Sequence, residues 1–218
     1  FTYIGDVIIY SKEKDNELIS EYIKQILDEK PTKIKTVRKY IALMQRIPGY
    51  QIRYEFRRSK KEGAVDLALQ ISKSKGDIYV SSDSYGDNDY GEMQNVASAQ
   101  VYSPFGGNDS WSTYGVSTNH LDRMYVVGTS YSRIVNNYGT SLDIRGSYSR
   151  DNSTYNNIMS TKDGVSQSYG VSFTHPLYLD GNQTIEGSFG TNYNYSKGNT
   201  ADVNISRSSS RGRGLSGI

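Results

Sequence analysis

The chain has 218 residues, 35% of them hydrophobic, with 20 tyrosines, 21 glycines and no cysteine. That composition excludes a disulfide scaffold and a Cys-based metal or redox centre, and it leaves too little Leu, Ile, Val and Phe for one conventional core over the whole length. The net charge of +2 hides an asymmetry: residues 1–75 carry 16 Lys and Arg against 10 Asp and Glu, and residues 76–218 carry 9 against 13. This break places a domain boundary near Lys75-Gly76. No window approaches the ~18 apolar residues of a membrane helix. The chain starts at Phe1 with no signal peptide, which reads as an internal fragment of a longer precursor.

Tyr3–Tyr10, YIGDVIIY, is predicted as a short buried strand. Asp15 or Asn16 then caps a helix in NELISEYIKQILDEK, whose Leu18, Ile19, Tyr22, Ile23, Ile26 and Leu27 form one apolar stripe. A second helix, from about Thr32 to Arg46, places Ile34, Val37, Ile41 and Met44 on one face and stops at Pro48-Gly49. Gln51–Arg57 alternates Ile52, Tyr54 and Phe56 with Gln51, Arg53, Glu55 and Arg57. Ala64–Ile71 alternates Val65, Leu67, Leu69 and Ile71 with Ala64, Asp66, Ala68 and Gln70. The order β-α-α-β-β predicts a small α+β domain with two helices on one face of a three-stranded sheet.

Beyond Gly76 the period is two. Tyr138, Thr140, Leu142, Ile144, Gly146 and Tyr148 alternate with polar or small residues that include Asp143 and Arg145. Similar rows run through Tyr125–Tyr131, Tyr169–Phe173 and Ile185–Tyr193, with weaker ones at Ile78, Val80 and at Ala97, Ala99, Val101. Turn-prone stretches such as SPFGGND, IVNNYG and SRDNSTYNNIMSTKDG separate them. Strands of about ten residues with one oily and one wet side are expected of a membrane β-barrel, because only helices and closed barrels satisfy backbone polar groups in lipid. Asp143, Arg145 and Glu186 are then expected to face a watery lumen. The tail SRSSSRGRGLSGI, within 201–218, is predicted to be disordered.

KTVRKYIALMQRIPGYQIRYEFRRSKKEGAVDLALQISK resembles the second POTRA domain of the two-partner secretion transporters, outer-membrane proteins that export haemolysins and filamentous-haemagglutinin-like adhesins. The likeness lies in the basic residue before the aliphatic run at Arg38–Leu43, in Pro48-Gly49, and in Gly63, Asp66 and Leu67. The run is Ile41-Ala42-Leu43-Met44 rather than Leu-rich, and Arg46-Ile47 replaces the usual acidic residue before Pro-Gly. Downstream, Asp-x-Tyr-Gly, Ser103-Pro104-Phe105-Gly106 and His175-Pro176-Leu177 resemble hairpin turns of that family's barrel.

The resemblance implies an α+β POTRA domain at 1–75 in the periplasm, followed at 76–200 by about seven strands of an antiparallel transmembrane β-barrel in the bacterial outer membrane. It implies a partner too, an unfolded secreted exoprotein received by the first domain and threaded through the barrel. The expected receiving surface is the edge strand Gln51–Arg57, with Gln51, Arg53, Glu55, Arg57 and Arg58 on it, since an open edge recruits an extended chain by backbone pairing.

No enzyme, cofactor or metal site is expected. His120 and His175 lie far apart near turns, no nucleophile elbow or P-loop is present, and Asp83, Asp87 and Asp89 lack the calcium-loop spacing. Nucleic acid is not expected as a partner, because the small domain's aromatics alternate towards its core. Two rivals remain, a barrel-assembly protein of the same superfamily and a soluble β-rich adhesin or binding module.

Overall fold

The computed structural model describes residues 3–11, 16–86, 90–155, 160–180, 183–201 and 206–217; Asp87 and Asp89 lie outside these. Elements follow the order β1 (Tyr3–Ser11), α1 (Glu17–Asp28), α2 (Ile34–Gln45), β2 (Tyr50–Arg58), β3 (Ala64–Lys73), then β4 (Gly76–Asp83) to β11 (Ser206–Gly217). β1, β3 and β2 form a three-stranded sheet in that order, with β1 parallel and β2 antiparallel to the central β3.

The core of the small domain follows from the predicted stripes. Asn16 Oδ1 accepts from the backbone N–H groups of Leu18 and Ile19 at 2.9 and 3.3 Å, starting α1. Ile19, Tyr22 and Ile26 from α1 and Val37, Ile41 and Met44 from α2 then bury against Ile52, Leu67, Leu69 and Ile71. Ile34 is partly exposed instead, while Leu43 and Ile47 are buried. Leu43 turns away from the predicted stripe because it packs under the second sheet. Ile9 and Tyr10 of the expected buried strand are exposed.

Tyr54 and Phe56 correct the sequence reading further. They are 42% and 39% exposed, in edge-to-face contact at 5.9 Å, rather than core residues. A 12-residue helix is ~18 Å long and a nine-residue strand ~30 Å, so the far end of β2 outruns the helices above it.

Tyr22 is fully buried, and its hydroxyl has no hydrogen-bond partner among the described residues. Burial first, then Tyr40, pushes its pKa up to about 12, with Arg46 opposing. Because the folded value is raised, this contribution to stability is intact below pH ~10 and is lost as pH climbs towards the folded value. Tyr22→Phe is expected to leave urea stability at neutral pH unchanged or raised by up to about 1 kcal/mol, and to remove the alkaline loss.

The second sheet has eight antiparallel strands in chain order, β4 through β5 (Gln94–Tyr102), β6 (Asp109–Thr118), β7 (Met124–Ile134), β8 (Ser141–Tyr155), β9 (Ser160–Leu179) and β10 (Thr184–Ala201) to β11. The disordered tail is corrected: Ser206–Gly217 pairs along β10 from Thr200 to Phe189. A strand edge satisfies any extended backbone laid beside it, even one with little apolar character. The turn expected in SRDNSTYNNIMSTKDG is mostly strand, since β8 runs to Tyr155 and β9 starts at Ser160. β6 was absent from the predicted rows because Tyr114 and Val116 put apolar groups on its otherwise polar side.

Candidate functional site: a two-faced sheet and the domain at its end

Register turns the period-two pattern into two continuous faces. Val101, Trp111, Tyr131, Ile144 and Val171 oppose one another in sequence across β5 to β9, and the next rows bring Leu142, Phe173 and Phe189 together. Most of these side chains are about half exposed or more, Val101 46%, Trp111 49%, Phe173 47% and Phe189 68%, while Tyr131 and Leu142 are partly buried. On β9 the oily run from Tyr169 to Leu177 spans ~27 Å of strand, close to the height of a barrel's apolar band. Trp111 donates its indole N–H to Thr129 Oγ1 at 2.6 Å, so it needs no water.

The opposite face is a lattice of polar side chains bonded across strands. Ser112 meets Ser130 at 2.7 Å, Ser168 donates to Asn194 at 2.7 Å, and Thr174 meets Ser188 at 3.0 Å. Arg145 Nη2 reaches over β9 to Asn192 Oδ1 on β10 at 2.9 Å. Gly170 opposes both residues in register, and a Cβ there would sit 2.5 Å from Asn192 Oδ1 and 2.8 Å from Arg145 Nε. Its missing side chain is the passage for that bridge. Asp143, which accepts from Ser141 at 3.1 Å, and Arg145 line one shallow depression with Ser130, Ser132 and Ser172.

Glu186 lies on this polar face as well, but its carboxylate is taken by the Arg46 guanidinium. Arg46 caps α2, so this ion pair joins the small domain's helices to the second sheet. Other links cluster beside it. Asn16 Nδ2 donates to Asn108 Oδ1 at 2.7 Å, Arg38 lies 3.9 Å from Asp180, and Gly49 lies against the Tyr102 side chain of β5. Leu43 reaches Gly139, while Leu179 and Ile134 pack with the small domain's core. The helices therefore sit at the end of the sheet that carries the β5–β6, β7–β8 and β9–β10 connections. No sequence signal marked this junction, because the pairs that make it lie 92 and 140 positions apart.

Asp109 was also missed. It is fully buried at the start of β6, where it accepts from the N–H groups of Gly107 and Phe105 at 3.1 and 3.3 Å and from the Tyr131 hydroxyl at 3.3 Å. The available signal was an Asp closing the Gly-Gly-Asn-Asp turn.

On the small domain, β2 is an edge strand of its sheet. Arg53, Glu55 and Arg57 share a groove with Tyr10, Ala68 and Gln70 on the face away from the helices. Arg57 donates to Glu55 at 2.6 Å and to the Tyr10 hydroxyl at 2.7 Å, and stacks over that ring. Arg53 and Arg58 form no ion pair among the described residues. Gln51 is exposed one step before the groove and Arg58 opposes Val65 at the hairpin end. His175 Nδ1 lies 2.8 Å from Thr140 Oγ1, and His120 sits in the β6–β7 connection with its backbone N–H on Thr118 Oγ1. Burial first, then Glu29, Glu21 and Tyr138, raises the Tyr40 phenol above its ordinary value.

No family model and no curated protein matches the chain. Solved structures do. CdiB from Escherichia coli is 16% identical with a TM-score of 0.71, the match covering 96% of this chain and 40% of that one. CdiB from Acinetobacter baumannii is 14% identical with a TM-score of 0.60, over 92% and 39%. A BamA structure from Haemophilus ducreyi, lacking POTRA domains 1–3, is 14% identical with a TM-score of 0.51, over 93% and 37%. The fold of this chain is shared with CdiB and BamA. The chain spans about 40% of the length of these relatives.

Proposed function

We propose that the protein is an outer-membrane transporter that receives an unfolded partner exoprotein of the haemolysin or adhesin type and passes it through a β-barrel pore. Residues 76–200 are pore wall in this reading and residues 1–75 a POTRA-like domain in the periplasm. The observation that carries it is the pair of faces. One is oily, exposed and belt-like, and the other is polar and hydrogen-bonded, with a small domain held at one end of the sheet, where a client would enter.

The edge strand β2 gives that client a place to pair. Gln51, Arg53, Glu55, Arg57 and Arg58 then contact it, with Arg53 and Arg58 free to steer acidic or polar segments. Asp143 and Arg145 wet the passage. The reaction asks for no cofactor and no catalytic group. The TM-score of 0.71 to CdiB against 0.51 to BamA, together with the Pro48-Gly49 signature, supports secretion over barrel assembly.

Deleting the protein from its host is expected to remove one large protein from the medium and leave resident outer-membrane barrels at their normal level. A fall in those barrels with secretion intact would support assembly instead. Arg53→Glu with Arg58→Glu is expected to cut export at least ten-fold at unchanged transporter level, and unchanged export would end the role of this edge.

A further inference from the structure

A cleft of about 420 Å³ lies between the helices and the sheet, walled by Lys35, Lys39 and Tyr40 of α2, Tyr138 of the β7–β8 turn and His175 to Leu179 of β9. On β9 its wall takes Leu177 from the oily row that holds Val171 and Phe173, and Tyr178 from the row beside it. Leu177 and Tyr138 in its wall are 67% and 71% exposed, and Phe189 on β10, opposite Phe173, continues the apolar surface away from it. Lys35 and Lys39 are four residues apart and share a helix face. Their ammonium groups rest 4.7 Å over the Tyr178 ring and 5.5 Å over the Tyr40 ring, and neither is ion-paired among the described residues. The one carboxylate in the wall, Glu21, accepts a hydrogen bond from Gln25 at 3.0 Å. The cleft thus combines two uncompensated cations with aromatic edges, where an apolar band meets water.

We infer that this cleft binds the headgroup of a membrane phospholipid, its phosphodiester between Lys35 and Lys39 and its acyl chains along Leu177 and Phe189. This rests on the reading of the sheet as a membrane wall. Cationic side chains at the end of an apolar band pair with lipid phosphates, and each exposed lysine favours an anionic surface. A net positive wall prefers an anionic headgroup such as phosphatidylglycerol to a zwitterionic one. The bound lipid would also touch both α2 and β9, so it would help hold the small domain against the sheet.

The test reconstitutes the purified protein in vesicles of equal phosphatidylglycerol and phosphatidylcholine, then extracts it in mild detergent and weighs the retained lipids. Retained phosphatidylglycerol is expected to exceed phosphatidylcholine. Lys35→Ala with Lys39→Ala should lower that preference by about ten- to thirty-fold, and Lys35→Arg with Lys39→Arg should keep it. Lys24→Ala with Lys60→Ala, which removes two exposed cations elsewhere, should not change it. Equal loss in that control pair, or no loss in the cleft pair, overturns the site. Flotation of the same vesicles reads insertion separately: a protein that never inserts overturns the membrane reading and this inference together, whereas one that inserts without lipid preference overturns the inference alone.

Discussion

Val171→Arg is expected to abolish stable insertion into lipid vesicles, while Ser172→Arg, one residue along, inserts normally. Val171 lies in the exposed apolar row between Ile144 and Thr191, inside the oily run on β9 and two residues from its Tyr169 end. A guanidinium facing hydrocarbon at that depth costs about 2–4 kcal/mol, roughly a thirty- to thousand-fold shift in the folded fraction. Ser172 points the other way and opposes Asp143, so an arginine there meets water and a carboxylate. Urea unfolding of the reconstituted protein, read by heat-modifiable gel migration, separates the two. A soluble binding module predicts the reverse sensitivity, because Val171 would then be an exposed surface residue and Arg would be harmless.

Gly49→Ala is expected to loosen the small domain from the sheet by about 2 kcal/mol or more. Gly49 has φ +79°, a conformation that charges an L-residue about 1–2 kcal/mol. It also faces strand β5 at close range: a Cβ would sit 2.7 Å from Cβ and Cγ of Tyr102 and 3.0 Å from the Ser74 carbonyl. The Ser74–Gly49 hydrogen bond would have to yield, since backbone on one side and the root of a side chain on the other cannot swing away. Gly106→Ala supplies the comparison. It has φ +76° but nothing within 4 Å of its Cβ, so only backbone strain is paid. Limited proteolysis at the junction should accelerate markedly in the first variant and little in the second, and equal rates would show that the contact with Tyr102 is energetically empty.

The sequence made the periodic parts of this protein readable. Ile19, Tyr22 and Ile26 declared a helix face, Leu67 and Leu69 a central strand, and Ile144, Val171 and Phe173 the oily face of a sheet, because the side on which each falls follows local spacing. Pro48-Gly49 announced a turn. That the same glycine is the point of closest approach to Tyr102 was not readable, since the partner comes from another sheet. The exposure of Tyr54 and Phe56 depends on where a helix ends in space, which alternation along β2 does not encode. The tail 206–217 was misread for a related reason: its pairing is decided by the free backbone edge of β10 and not by its own side chains. Within the candidate site, parity alone put Asp143 and Arg145 on the polar face of the sheet, whereas it put Glu186 there without its partner Arg46.

Trp111 gives the most direct test of the central claim that the exposed apolar face meets lipid. It is the chain's single tryptophan, half exposed on that face, with its indole N–H already bonded to Thr129. In vesicles carrying brominated acyl chains its fluorescence should be strongly quenched and blue-shifted, and aqueous acrylamide should quench it weakly. Strong quenching by acrylamide with no effect of the brominated lipid would place this face in water and contradict the account.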